Sequence, residues 1–470
     1  MQTQILNAQS IESGLAAPSQ SNLDERTLAK FHGALVGAAL FLATVAGLLM
    51  RLEWLTPPLD LMNARTFGSL LTLHGALAFY FVLIPCGFFI PTILALARGA
   101  APRAVPLPRL GRMAWTLQAA GLGALLLSAI SGGSEAGWGM TNLNGGRFAL
   151  DGVGLVAVAG LLAGLAMVAQ GVRVWVAAGT DRDSAGASSV RRAVLMTSAA
   201  MGLMTGAVLV LCMVLICLVR WTHLPIFDSA AGGNPLIYEN FFSAFRQAAL
   251  TLCWFTPIGA MLANLAADAD TGSWPRALLP LLGMALFAGV PVWGVLAAWT
   301  SLFAVLALIG LGALGIRMAG RAPRLGAAHV LQGLFWVAMV QSLTAYLLLV
   351  IPNGQSIFNQ TTFSSAILHL TAYAVVGLAL PALLVRALGV QSSSKAFALA
   401  LGGIIVFLGM QVALLPDALA GLQGLSFRAN AYPAELQVLK VLGSAGTTVI
   451  LAGGAIIAGS LMLKPRASVS

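Results

Sequence analysis

The chain has 470 residues, of which 59% are hydrophobic and only 9% are charged. A soluble domain could not bury that much apolar surface, so the composition predicts a membrane protein with several spans. The formal net charge is +10, but most arginines and lysines lie between apolar segments, as the positive-inside rule expects of a membrane protein. Nucleic-acid binding is therefore not expected.

Twelve apolar segments of about 20 residues or more are long enough to cross a bilayer as helices. In chain order they lie near 31–51, 67–97, 113–131, 150–178, 193–220, 240–266, 277–296, 298–316, 327–351, 362–388, 396–416 and 436–463. We therefore predict an all-α integral membrane bundle of twelve transmembrane helices. The stretch from 277 to 316 is nearly continuous, so its division into two spans stays open.

The membrane domain is expected to form a single unit, residues 30–463. The polar residues 1–29 lack a signal-peptide layout and predict a disordered cytoplasmic tail, and 464–470 predict a second one. Arginines concentrate in alternate loops on the side of both termini, at 98–112, 173–192 and 317–324. We expect both termini to be cytoplasmic, in a bacterial-type inner membrane.

Two histidines lie deep in strongly apolar segments, where an unbound imidazole is costly. His74 lies in the first third of the second span and His369 near the start of the tenth. Both spans run inward from the outer face, so the two side chains are expected at similar depth. This arrangement suits two axial ligands of one low-spin haem, which transfers electrons and has no open coordination site. The alternative is that each histidine hydrogen-bonds a neighbouring helix.

The other three histidines are expected at interfacial positions, where an imidazole costs little. His32 lies at a helix entrance, His223 in an outer loop and His329 at a cytoplasmic helix start.

Short motifs along the chain, in order, resemble those of subunit I of the haem-copper oxidases, closest to the cytochrome c oxidase branch. The matching stretches are Arg51-Leu52-Glu53, Thr72-Leu73-His74-Gly75, Gly137-Trp138, Phe227-Asp228 with Gly232-Gly233, and Gly421, Gly424, Arg428, Tyr432 and Pro433. Each piece is weak alone, but their order and intervals cover roughly residues 30 to 463. The resemblance implies the fold of that subunit.

The resemblance also implies roles for four residues. His74 and His369 would ligate a low-spin haem of the b or a type, and Arg51 would lie close to it. Arg428 would pair with a haem propionate, while Phe427 stands where the family has a second arginine.

The departures from the family pattern all fall on its dioxygen-reducing centre. Ile367 stands at the place of the high-spin haem histidine, and an isoleucine cannot ligate iron. The copper ligands and the tyrosine beside them align with Gln247, Thr251, Val295 and Leu296. Such side chains do not supply the donors that copper requires, so no copper is expected.

The proton routes of the family are also expected to be absent. Its buried glutamate aligns with Ala249, and none of the chain's lysines, Lys30, Lys395, Lys440 and Lys464, is expected deep in a span.

The sequence therefore predicts an electron-transport subunit of the respiratory chain with one low-spin haem and a lost catalytic centre. It would exchange electrons with a partner redox subunit or with a periplasmic cytochrome or copper protein. One alternative is a haem-free scaffold or transporter-like shell. A second is an active terminal oxidase, which would need a different alignment of helices six, seven and ten.

Overall fold

The computed structural model describes most of the chain. The described residues are 20–55, 61–97, 107–131, 152–180, 187–222, 224–227, 232–234, 236–268, 278–288, 295–319, 326–350, 361–388, 393–426 and 433–462. Within these ranges the chain forms twelve helices, a three-residue 3-10 turn (Ala434–Leu436) and no strand, apart from one isolated bridge between Thr361 and Ser426. The predicted all-α bundle is confirmed.

Ten of the twelve helices are uninterrupted α-helices. They are α1 (Gln20–Leu55), α3 (Leu107–Ile130), α4 (Gly152–Thr180), α5 (Ala187–Thr222), α6 (Leu236–Asp268), α7 (Leu278–Ala288), α8 (Val295–Ala319), α9 (Ala327–Val350), α11 (Ser393–Leu422) and α12 (Gln437–Met462). The other two are longer helices that contain π-helical turns. Helix α2 joins Ala64–Ala76, Leu77–Leu83, Pro85–Phe89 and Ile90–Ala97, and α10 joins Thr362–Tyr373, Ala374–Ala379 and Leu380–Leu388.

Each predicted span contains one observed helix, and nine helices among the described residues are long and apolar enough to cross a membrane. Two boundaries differ from the sequence prediction. Helix α1 begins at Gln20 instead of near residue 30, because hydropathy marks only the apolar part of a helix. Residues Val295 and Leu296 open α8 instead of closing the seventh span, because the unbroken apolar pattern there gave no boundary.

Helices α2 and α6 form the centre of the bundle. About 89% of the apolar window of each is buried, against 28% for α3 and α12. Close helix packing at the periphery depends on glycines, which let backbones approach. A Cβ at Gly446 of α12, for example, would overlap the backbone of Ala413 on α11.

The π-helical turns occur in α2 and α10, the two helices that carry the candidate ligand histidines. In each, a proline lies at or beside the π segment, Pro85 in α2 and Pro381 in α10. A proline lacks the N–H of a helical hydrogen bond and its ring crowds the preceding turn, and a wider π turn accommodates both effects. The histidines lie one turn before these segments, in regular α-helix.

Candidate functional site

Helix α2 holds His74 in a fixed orientation. The helix begins at Asn63, whose side chain accepts a hydrogen bond from the Thr66 backbone at 2.8 Å. The Nδ1 atom of His74 lies 2.8 Å from the backbone oxygen of Ala43 on α1. Helix α1 approaches closely because Gly47 has no side chain: a Cβ there would lie 3.1 Å from Cε1 of the imidazole.

Helix α10 holds His369 in a matching way. Thr361 caps the helix, and the Thr362 backbone donates to the Leu425 oxygen at 2.9 Å, which attaches this end to the loop after α11. The Nδ1 atom of His369 lies 2.8 Å from the backbone oxygen of Ser365, one turn earlier. The hydroxyl of Ser365 lies 3.3 Å from the same nitrogen.

The two histidines face each other across the gap between their helices. Their Nε2 atoms are 3.5 Å apart, and the ring centroids are 5.8 Å apart with an interplanar angle of 22°. Protein surrounds both side chains, yet each keeps part of its surface accessible.

The hydrogen bonds fix the tautomers of the pair. A carbonyl oxygen only accepts, so each Nδ1 must carry the ring proton and donate it. In the neutral imidazole each Nε2 is then an acceptor with an outward lone pair. Two lone pairs that face each other do not hydrogen-bond directly, and an electron-pair acceptor between them, a metal ion or a shared proton, would satisfy both. Binding of the second ring nitrogen to a carbonyl is also the usual way that proteins orient metal-ligating histidines.

The spacing of the pair can be compared with that of two axial ligands. Metal–imidazole bonds are about 2 Å long, so two nitrogens on opposite sides of one metal lie about 4 Å apart. The observed 3.5 Å differs from this by a distance that small side-chain rotations supply. The residues present therefore fit a metal-centred group such as haem.

A charged cluster lies beside the pair at the same end of the bundle. The Nη2 atom of Arg51 on α1 lies 3.6 Å from Oδ2 of Asp417 on α11, and its Nη1 donates to the Ser444 hydroxyl at 3.2 Å. Arg51 interacts electrostatically with both His74 and His369. Arg428, the other predicted cofactor-binding residue, lies outside the described residues.

The cluster includes a residue whose importance the sequence did not indicate. Lys440, in the first turn of α12 and therefore not deep in a span, is only 1% exposed. Its Nζ lies 3.9 Å from Oδ1 of Asp417 and 3.4 Å from the centre of the Trp54 ring. A charged residue inside an apolar segment is the signal that could have identified it.

The aligned positions of the family's catalytic centre are filled by protein. Ile367 is 6% exposed and Ala249 is fully buried. The Gln247 side chain donates to the Thr300 hydroxyl at 2.6 Å, and the Thr251 hydroxyl donates to the Gln247 backbone oxygen at 2.9 Å.

A cavity of about 20 Å³ remains beside these residues, lined in part by Thr251, Tyr346, Ile367 and Thr371. This is about the space of one water molecule. Of Val295 and Leu296, at the start of α8, only the helical backbone is described.

His32, expected at an interfacial position, is 0% exposed within the protein, with its ring 5.1 Å from that of Phe89. The His32 side chain is buried because α1 begins well before the apolar segment and packs against α3. His223 lies outside the described residues.

The fold defines a helical multi-pass membrane protein, and the comparisons identify its family. The sequence model of the family "Cytochrome C and Quinol oxidase polypeptide I" matches residues 27–449, and the chain belongs to this family. Cytochrome c oxidase subunit 1 of Synechocystis sp. is 24% identical over 435 residues, which cover 86% of this chain and 77% of that protein.

The fold is also similar to that of a solved structure, a cryo-EM structure of a heme-copper terminal oxidase dimer. The TM-score is 0.75 at 12% sequence identity, over 95% of this chain and 85% of the other. At this identity the likeness concerns the fold alone. The predicted resemblance to the oxidase subunit is thereby confirmed, whereas the roles of the individual residues stay predictions.

Proposed function

We propose that the chain is an electron-transfer subunit that holds one low-spin haem, of the b or a type, between His74 and His369. Such a haem, when bound, accepts and donates single electrons. The observation that carries the proposal is the pair of facing Nε2 atoms, 3.5 Å apart, whose Nδ1 partners are both backbone carbonyls. This arrangement leaves both lone pairs directed at a shared acceptor.

The residues around the pair have supporting roles. Arg51 provides a fixed positive charge close to both histidines, and a fixed positive charge favours the reduced form of a bound redox group. By the resemblance, Arg428 would form a charge-assisted pair with a propionate. The hydrogen bonds to Ala43 and Ser365 hold the imidazoles in place, so that little rearrangement accompanies electron transfer.

We further propose that the chain does not reduce dioxygen. An iron with a histidine on each side has no open position. A dioxygen-reducing haem-copper centre would need metal ligands at the positions of Ile367, Gln247, Val295 and Leu296. The internal hydrogen bond from Gln247 to Thr300 supports this part of the proposal, since it engages the side chain at one aligned copper position.

The proposed setting follows from the family and the charge pattern. The chain is a multi-pass membrane protein, and a bacterial-type inner membrane with both termini in the cytoplasm agrees with the arginine-rich loops. The histidine pair would then lie nearer the outer face. Its electron partner would be a partner redox subunit or a periplasmic cytochrome or copper protein.

The deciding experiment is a reduced-minus-oxidised optical spectrum of the purified protein, with a carbon monoxide difference spectrum and metal analysis. We expect one low-spin haem per chain, no carbon monoxide shift and no copper. His369→Ala should abolish the low-spin signal, whereas His329→Ala, on α9, should keep it.

Two results would overturn the proposal in different ways. A carbon monoxide-reactive haem together with copper would restore an active terminal oxidase. A folded protein without any haem would leave a scaffold or transporter-like shell.

A further inference from the structure

Lys440 is a buried lysine at the edge of a membrane-spanning helix. Its side chain is 2% exposed, with the ammonium 3.4 Å from the centre of the Trp54 ring. Removing an ammonium from water is costly, and a well-packed apolar side chain at such a site is commonly at least as stable. Ionisable residues inside membrane segments generally mark functional sites. Packing alone therefore does not account for a lysine here.

The surrounding contacts hold this charge in a fixed position. Asp417 lies between two cations, since Oδ1 is 3.9 Å from Lys440 and Oδ2 is 3.6 Å from Arg51. The backbone oxygen of Asp417 accepts a hydrogen bond from the Thr362 hydroxyl at 2.8 Å. Thr362 opens α10, the helix that carries His369. The cluster thus joins α1, α11 and α12 to the helix of one candidate ligand.

The cluster is close enough to influence the ligand electrostatically. Arg51, Asp417 and Lys440 all interact electrostatically with His369. Because Arg51 and Asp417 are only 17% exposed and Lys440 is 2% exposed, these charges are screened less than fully exposed charges at a surface. Removing any one of these three charges therefore changes the electrostatic potential at His369.

We propose that Lys440 is a positioning residue for electron transfer, whose buried positive charge stabilises the reduced form of the group held by His74 and His369. The inference rests on the proposed function, because it requires a redox group at the histidine pair. Trp54 shields the ammonium from solvent, and Asp417 holds it in place. The oppositely charged Asp417 has the opposite influence on the same group.

The test is a spectroelectrochemical titration of the purified protein that measures the midpoint potential of the haem. Lys440→Met should lower the reduced-to-oxidised ratio at a given potential on the order of tenfold, and a tenfold change is 59 mV for one electron. Lys440→Arg should restore a value close to that of the unchanged protein. Asp417→Asn should shift the potential in the opposite direction, upward.

The opposite signs separate a charge effect from a structural one. If Lys440→Met and Asp417→Asn shift the potential in the same direction, or if neither shifts it, the proposal is wrong. If Lys440→Met fails to retain haem, Lys440→Gln, which also removes the charge, replaces it and is judged against Asp417→Asn by the same criterion. An unchanged protein without haem would instead refute the proposed function, and the inference with it.

Discussion

Gly47 gives the sharpest structural test of how the histidine pair is built. It lies on α1 against the imidazole of His74, where a Cβ would be 3.1 Å from Cε1 and 3.2 Å from Nδ1. Carbon atoms in good contact are about 3.5–4.0 Å apart. In Gly47→Ala the ring must therefore move by several tenths of an ångström. This movement strains the hydrogen bond from Nδ1 to Ala43, which is now 2.8 Å long.

The expected cost combines overpacking with a weakened hydrogen bond. Overpacking a filled site costs about 1–3 kcal/mol, and a lost hydrogen bond about 1 kcal/mol. Alanine is a better helix former than glycine by about 1 kcal/mol, which offsets part of this. We expect a net destabilisation of about 1–3 kcal/mol, together with an altered low-spin haem band or reduced haem content.

Gly37 is the matched control, since it lies on the same helix and a Cβ there would meet nothing within 4 Å. Gly37→Ala should be neutral or stabilising by about 1 kcal/mol through helix propensity, with an unchanged spectrum. The assay is thermal unfolding in detergent combined with the reduced-minus-oxidised spectrum. Equal behaviour of the two variants would refute the reasoning.

Two further predictions concern the aligned catalytic positions. Ile367→His should not produce a carbon monoxide-reactive haem, because the cavity beside it holds only about 20 Å³; a carbon monoxide difference spectrum checks this. Gln247→Ala should leave the low-spin spectrum unchanged but lower the melting temperature, because it loses the 2.6 Å hydrogen bond to Thr300, worth about 1 kcal/mol. A changed haem spectrum in Gln247→Ala would show that this residue acts on the haem.

Much of the fold could be predicted from apolar segment length, because a helix that crosses a bilayer has a narrow range of lengths. Segment length could not divide residues 277–316 into two helices, because the apolar pattern of the sequence continues from the end of α7 to the start of α8. Segment length also could not predict the π-helical turns in α2 and α10, since a helix can accommodate a proline by a kink, a break or a π turn.

The histidine pair could be predicted because imidazoles are rare and costly in apolar segments, so their positions stand out. The hydrogen-bond partners of their Nδ1 atoms could not be predicted. They are the backbone carbonyls of Ala43 and Ser365, and every residue has such a group. The burial of Lys440 was missed for a related reason. Its position near a helix end suggested access to water, whereas the contact that covers it comes from Trp54 on α1.

The site has two halves: the histidine pair, where the family's ligands are retained, and the positions around Ile367, where they are altered. The two halves differ in how their polar groups are hydrogen-bonded. At the altered half, Gln247 bonds Thr300, and the hydroxyls of Ser342 and Thr371 lie 3.2 Å apart. These groups satisfy one another and have no need of a ligand. At the retained half, the two Nε2 atoms face each other at 3.5 Å. The facing Nε2 atoms therefore support haem binding at the histidine pair, whereas the internal hydrogen bonds around Ile367 do not call for a ligand there.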